Sequence, residues 1–164
     1  MGTSARTMGI SVTDVDTTQQ LPLGFEYHEP ASGDDLGEKV WVYVYNDEGA
    51  TNFTEGTVVM RDAATATYDA VLSTAAVPAI RILGVAQHTI AFGSYGFVLK
   101  KGIGEVQAND TAEDQANDPL VTEGTAGRAD VMGAGEEHCV FAFSTENAAA
   151  LAGALMTCWI NCPG

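Results

Sequence analysis

An all-β domain, a compact β-barrel or sandwich with an extended N-terminal arm, is the fold this chain predicts, and three observations predict it. Apolar runs are short and recur at spacings of about 8 to 15 residues. Glycine, 18 residues in all, and threonine crowd the gaps between those runs, where turns and strand corners need them. Within the runs valine, isoleucine, tyrosine and phenylalanine alternate with period two, and no clear amphipathic helix emerges. At 164 residues the chain has length for one domain that buries a real core. The division read from the pattern is an arm over residues 1–20 and a β-barrel domain over residues 21–164.

Taken in order, the arm "MGTSARTMGISVTDVDTTQQ" alternates at Met8, Ile10 and Val12 but is otherwise polar, which describes an extended segment or edge strand. Too few apolar residues are present for it to form its own core, so Met8, Ile10 and Val12 are expected to find burial on another chain. Next come "LGFEYHE" and "EKVWVYVYNDEG", separated by the turn formers "PASGDDLG", a hairpin signature. In its second strand Val40, Val42 and Val44 point one way and Trp41, Tyr43 and Tyr45 the other. Both faces are apolar, so the strand should lie between a core and a second packed surface. Trp41, Tyr43 and Tyr45 are the candidate contact between copies, because aromatic residues are enriched where subunits meet.

"EGTVVMRD" reads as a further strand, and the Ala/Thr-rich "AATATYDAVLSTAA" allows a short helix. Residues 78–91 and 94–101 read as two strands across the "AFGSYG" turn, with "GIGEVQA" continuing the second after a glycine bend. Residues 109–118 are acidic and polar, a solvated loop. "PLVT", "GRADVM", "EHCVFAFST" and "LMTCWINC" complete nine or ten strands.

The net charge of −15 comes from 22 acids against 7 bases, about −8 up to Ile82 and about −7 after it. Affinity for nucleic acid rests on Lys and Arg neutralising phosphates, so neither nucleic acid nor an anionic membrane is an expected partner. No signal peptide or run of roughly 18 apolar residues is visible, and the chain reads as a soluble product of a cytoplasm.

The patterns that carry chemistry are wanting. Cys139, Cys158 and Cys162 with His138 invite zinc, but four residues of straight strand hold Cys158 and Cys162 about 13 Å apart, too far for one tetrahedral ion or a disulfide. Asp110, Glu113, Asp114, Asp118 and Glu123 offer oxygens to calcium without the EF-hand register. "GSYGFVLKKG" lacks the spacing and the helix of a phosphate loop. His28, His88 and His138 stand near no nucleophile motif, and the neighbours Asp34 and Asp35, or Glu136 and Glu137, face opposite ways on strands. No metal, cofactor or catalytic residue is expected, and the chain is read as a non-enzyme.

The order "PLGFEYHE…KVWVYVYNDEGATNFTEGTVVM", "RILGVAQHTIAFGSYGFVLKKGIGEV", "AGRADVMGAGEEHCVFAFSTEN" and "LMTCWINC" resembles small structural proteins of tailed bacteriophages that decorate or cement the capsid shell. The best local signature is Gly-Val-Ala followed by Ala-x-Gly-x-x-Gly, residues 84–86 and 91–96. The resemblance implies a β-rich virion protein without catalytic residues, bound to the major capsid protein on the outer capsid surface, and a homo-oligomer, commonly a trimer. Two other functions fit the composition. A tail-tube subunit would need a long hairpin and an amphipathic helix, and a carbohydrate-binding β module would need Trp41, Tyr43, Tyr45 or Trp159 exposed as a stacking platform.

Overall fold

The computed structural model describes residues 9–31, 33, 36–62, 67–109, 116–147 and 153–164. Ten strands follow one another: β1 (Glu26–Glu29), β2 (Lys39–Asn46), β3 (Val58–Arg61), β4 (Asp69–Leu72), β5 (Ile82–Val85), β6 (Tyr95–Gln107), β7 (Pro119–Thr122), β8 (Ala129–Val131), β9 (Ala142–Ser144) and β10 (Leu155–Asn161). The architecture is all-β. Short 3-10 turns at Ala79–Arg81 and Glu137–Cys139 are the helical elements among the described residues.

Five strands close into a barrel in the order β2, β4, β3, β5, β6, with β6 returning antiparallel to β2. Its interior is a small cluster of Val42, Val44, Val59, Ala70, Leu83 and Val98, plugged by Phe53, Ala86 and Ile90. β1 lies outside the ring, paired antiparallel with the first half of β2, so the expected hairpin is present. β2 changes partner partway, meeting β4 in parallel only at Tyr45 and Asn46. The stretch that allowed a short helix therefore contributes a strand, β4. Its four residues acquire order from pairing with β3 and β2 on both sides, a long-range effect that overrides a weak local preference.

The 13-residue β6 serves two sheets. Its first half pairs with β2 as far as Lys101, and its second half pairs with β10 from Lys101 to Gln107. The register slips beside Val40 and Trp41, which face Lys101 and Leu99 and leave Lys100 as an extra residue. Gly102 then adopts φ +122, where an L side chain is strained. Bulge and glycine together re-aim the strand, the expected bend. The second sheet continues β6, β10, β9, β7, β8 and touches the end of β6 again through a parallel bridge between Ala108 and Ala129.

Both faces of β2 and of the first half of β6 are buried. The faces turned away from the barrel interior, Trp41, Tyr43, Phe97 and Leu99, join Leu120, Phe141, Met156, Cys158 and Ile160 of the second sheet in one larger cluster. The second packed surface expected of β2 is thus supplied by the same chain.

Candidate functional site

The residues marked by the sequence do not converge. Trp41 is 5% exposed and donates its indole N–H to the Glu29 carboxylate at 2.8 Å. Tyr43 is 1% exposed, and its hydroxyl accepts from the Gln20 N–H at 3.2 Å. Burial, ahead of the other causes, pushes the Tyr43 phenol above its ordinary range. Leu21, Leu23, Phe25 and Tyr27 pack against the cluster that holds both rings. Tyr45 keeps partial exposure beside Tyr95, ring centroids 4.8 Å apart. The surplus of apolar surface that argued for a subunit contact is thus largely covered within the chain.

A similar outcome holds for the arm. Met8 lies outside the described residues, while Ile10 and Val12 are half-buried against the larger cluster and Val15 against the smaller. Asp16 and Tyr95 exchange two backbone hydrogen bonds, of 3.1 and 2.7 Å, which tack residues 9–20 onto the start of β6. These apolar side chains find part of their cover on their own barrel.

Cys139, Cys158 and Cys162 are buried free thiols. Burial raises Cys139, helped by Glu136, and carries Cys162 up to about 12, so neither offers a thiolate at neutral pH. His138 is exposed. No group of three or more His, Cys, Asp or Glu able to hold a metal occurs among the described residues. Of the acidic loop, Asp110, Glu113 and Asp114 fall outside them, as do Asp34 and Asp35. Asp69 sits near Asp47 and Asp62; desolvation first, then these two charges, raise its carboxyl above the usual range.

His28 meets the Glu38 carboxylate at 2.9 Å on the surface, whereas His88 is turned inward. Both its ring nitrogens are buried without a hydrogen-bond partner, and desolvation lowers its pKa against the opposing pull of Asp14 and Glu55. A histidine whose folded pKa is depressed leaves stability intact above about pH 6.5 and removes it as pH falls, because the unfolded chain takes the proton first. The His88→Leu variant should therefore lose less stability than the parent between pH 7.5 and pH 5. Parallel pH profiles from urea melts would show that the imidazole finds a partner when protonated.

What the structure does bring together is a row of apolar side chains on the outer face of the second sheet. Trp159 of β10 stands opposite Ile103 of β6 on one side and Phe143 of β9 on the other, and Phe143 stands opposite Pro119 of β7. Trp159 is 43% exposed and Phe143 46%. Two residues along the strands the face turns polar: Lys101 opposite Asn161 on one flank, Glu105 opposite Thr157 on the other. The Thr157 hydroxyl donates to the Glu105 carboxylate at 3.1 Å, whereas the Lys101 ammonium and the Asn161 carboxamide have no partner among the described residues. Sequence reasoning reached Trp159 but missed Phe143. The alternation of Leu155, Thr157, Trp159 and Asn161 against Met156, Cys158 and Ile160 was the available signal for one open face.

No protein-family model matches the chain, and no curated protein matches it. Among solved structures it is similar to the head fiber gp8.5 N base of bacteriophage phi29, with 20% sequence identity and a TM-score of 0.51. The likeness covers 75% of this chain and 94% of that one. It is a likeness of fold.

Proposed function

We propose that this chain is a non-enzymatic structural protein of a tailed-bacteriophage virion, seated on the outer surface of the head and bound to coat subunits as a homo-oligomer. The observation that carries the reading is the shared fold with a head-fiber base, which takes in nearly all of that domain. The pattern resemblance to capsid decoration proteins, carried by the strand order and by residues 84–86 and 91–96, is consistent with that reading. The charge is compatible with the position: a chain at −15 is repelled by packaged DNA but tolerated on the far side of the shell.

In this reading many copies, each weakly held, stabilise the expanded shell by binding only that state, and lattice multiplicity turns modest contacts into firm attachment. The N-terminal segment with Met8, Ile10 and Val12 is the proposed contact with coat. Of the aromatic trio, Tyr45 retains the exposure that a contact between copies, such as a trimer, requires.

Gold-labelled antibody against the purified chain, applied to virions of the encoding phage and viewed in negative stain, tests the reading. Gold on heads is the expected result. Gold confined to tails would favour the tail-tube alternative, and unlabelled particles would remove the protein from the virion surface. Sedimentation of the purified chain at micromolar concentration should show an oligomer, and a monomer would overturn the homo-oligomeric part.

A further inference from the structure

We infer that the outer face of the second sheet is a binding site for a neutral glycan, with Trp159 as the stacking platform and Asn161, Lys101 and Glu105 as the groups that orient the sugar. The inference stands independently of attachment to a phage head.

The dimensions select the ligand. Neighbouring strands lie about 4.8 Å apart, so Ile103, Trp159, Phe143 and Pro119 form a strip about 14 Å long across four strands. Along β6 and β10 it is one residue wide, because the next side chains on the same face, roughly 6.7 Å away, are polar, and exposed Leu155 stands beyond Thr157. A stable protein partner needs about 800 Å² from each side around an apolar centre, several times what such a strip supplies. A saccharide needs much less. One sugar ring covers one aromatic ring with its C–H face and sends hydroxyls sideways, where a few placed polar groups fix its orientation.

Those groups are present on both flanks. Asn161 offers a donor and an acceptor, Lys101 a donor, and Glu105 further acceptor capacity beside its bond to Thr157. Neither exposed ring stacks on another aromatic ring among the described residues, and both keep more than two fifths of their surface exposed. Charge then narrows the class. Lys101 on one flank is balanced by Glu105 on the other, and the chain as a whole repels polyanions, which favours a neutral sugar over a uronate or phosphorylated one. Of the other aromatics named as platforms, Trp41 and Tyr43 are buried, and half-buried Tyr45 has its ring packed against Tyr95.

The test is fluorescence titration of the intact protein with maltotriose, cellotriose and triacetylchitotriose, with trigalacturonate as the anionic comparison. Trp159 is the exposed one of two tryptophans, so its emission reports the site while buried Trp41 stays constant. At least one neutral trisaccharide should give a saturable change in the millimolar range. Trp159→Ala should abolish binding, and Asn161→Ala should weaken it about tenfold, the loss of one or two hydrogen bonds. Both positions are exposed, and an unchanged thermal melt would confirm that the variants fold. The inference fails if no neutral trisaccharide produces a response, if Trp159→Ala binds as well as the parent, or if trigalacturonate binds best. It also fails if Trp159→Ala dissolves an oligomer while the saccharides do nothing, since the row would then be a contact between copies.

Discussion

Replacing Gly84 by valine is expected to destabilise the fold by on the order of 3 kcal/mol, through overpacking at a backbone contact. A Cβ built on Gly84 lies 2.7 Å from the Leu99 carbonyl oxygen and 3.0 Å from its carbon, with the Val98 side chain at 2.9 Å. Two of those atoms are backbone, so relief requires β5 and β6 to separate. That seam is narrow, since the two strands share one register pair, Val85 with Leu99, and it closes the barrel. Alanine should already cost part of the effect and valine more. Gly124→Ala is the matched control, because nothing lies within 4 Å of its added carbon and its backbone is not in the left-handed region. Urea melts of the three variants decide the matter. If Gly84→Val stays within about 0.5 kcal/mol of the parent, the β5–β6 seam yields easily and barrel closure is not the constraint described.

Asn46→Asp should do comparable damage by another route, on the order of 3 kcal/mol at neutral pH. Asn46 is 0% exposed at the end of β2. Its amide nitrogen donates to the carbonyls of Thr51 at 3.1 Å and Ile90 at 3.0 Å, and its oxygen accepts from the Glu48 N–H at 3.1 Å. One side chain thus ties two loops to the rim of the barrel. Aspartate removes both donors and turns a carboxyl toward two carbonyl oxygens. Desolvation and those oxygens would raise its folded pKa above the unfolded value of about 3.9, so the native state would hold a proton that the denatured chain has released. The penalty relative to the parent should then be smallest at low pH and grow as pH rises. A penalty that does not change with pH would mean that water reaches the site and solvates the carboxylate.

Much of this molecule is local and therefore legible in the sequence. Period-two alternation and turn residues gave the hairpin of β1 and β2, the long β6 with its glycine bend, and the all-β class. The apolar character of both faces of β2 announced that the strand would be covered twice. What covers it is another matter. Trp41 and Tyr43 could equally have faced a second copy, and they are buried here because β1, the 9–20 segment and the second sheet of the same chain lie over them. The same ambiguity affected Ile10 and Val12. Alternation states which side chains share a face, but the chain's long-range register decides what meets that face.

The candidate glycan face divides along the same line. Trp159 could be found from its strand pattern, whereas Phe143 could not, because Phe141 and Phe143 occupy like positions in "CVFAFS" and yet one is buried at 1% and the other is 46% exposed. Phe141 lies just ahead of β9, its N–H bonded to the Leu120 carbonyl and its own carbonyl accepting from Asn161, with its ring in the larger cluster, whereas pairing with β7 and β10 sets Phe143 beside Trp159. The sequence by itself determined the strand content, the punctuation and the absence of a charge pattern suited to nucleic acid. Only the tertiary structure decided that β4 is a strand, that five strands close into a ring and that the Trp159 row stays uncovered. Each of those depends on pairings between residues far apart in the chain, whose free energy no window of neighbouring residues contains.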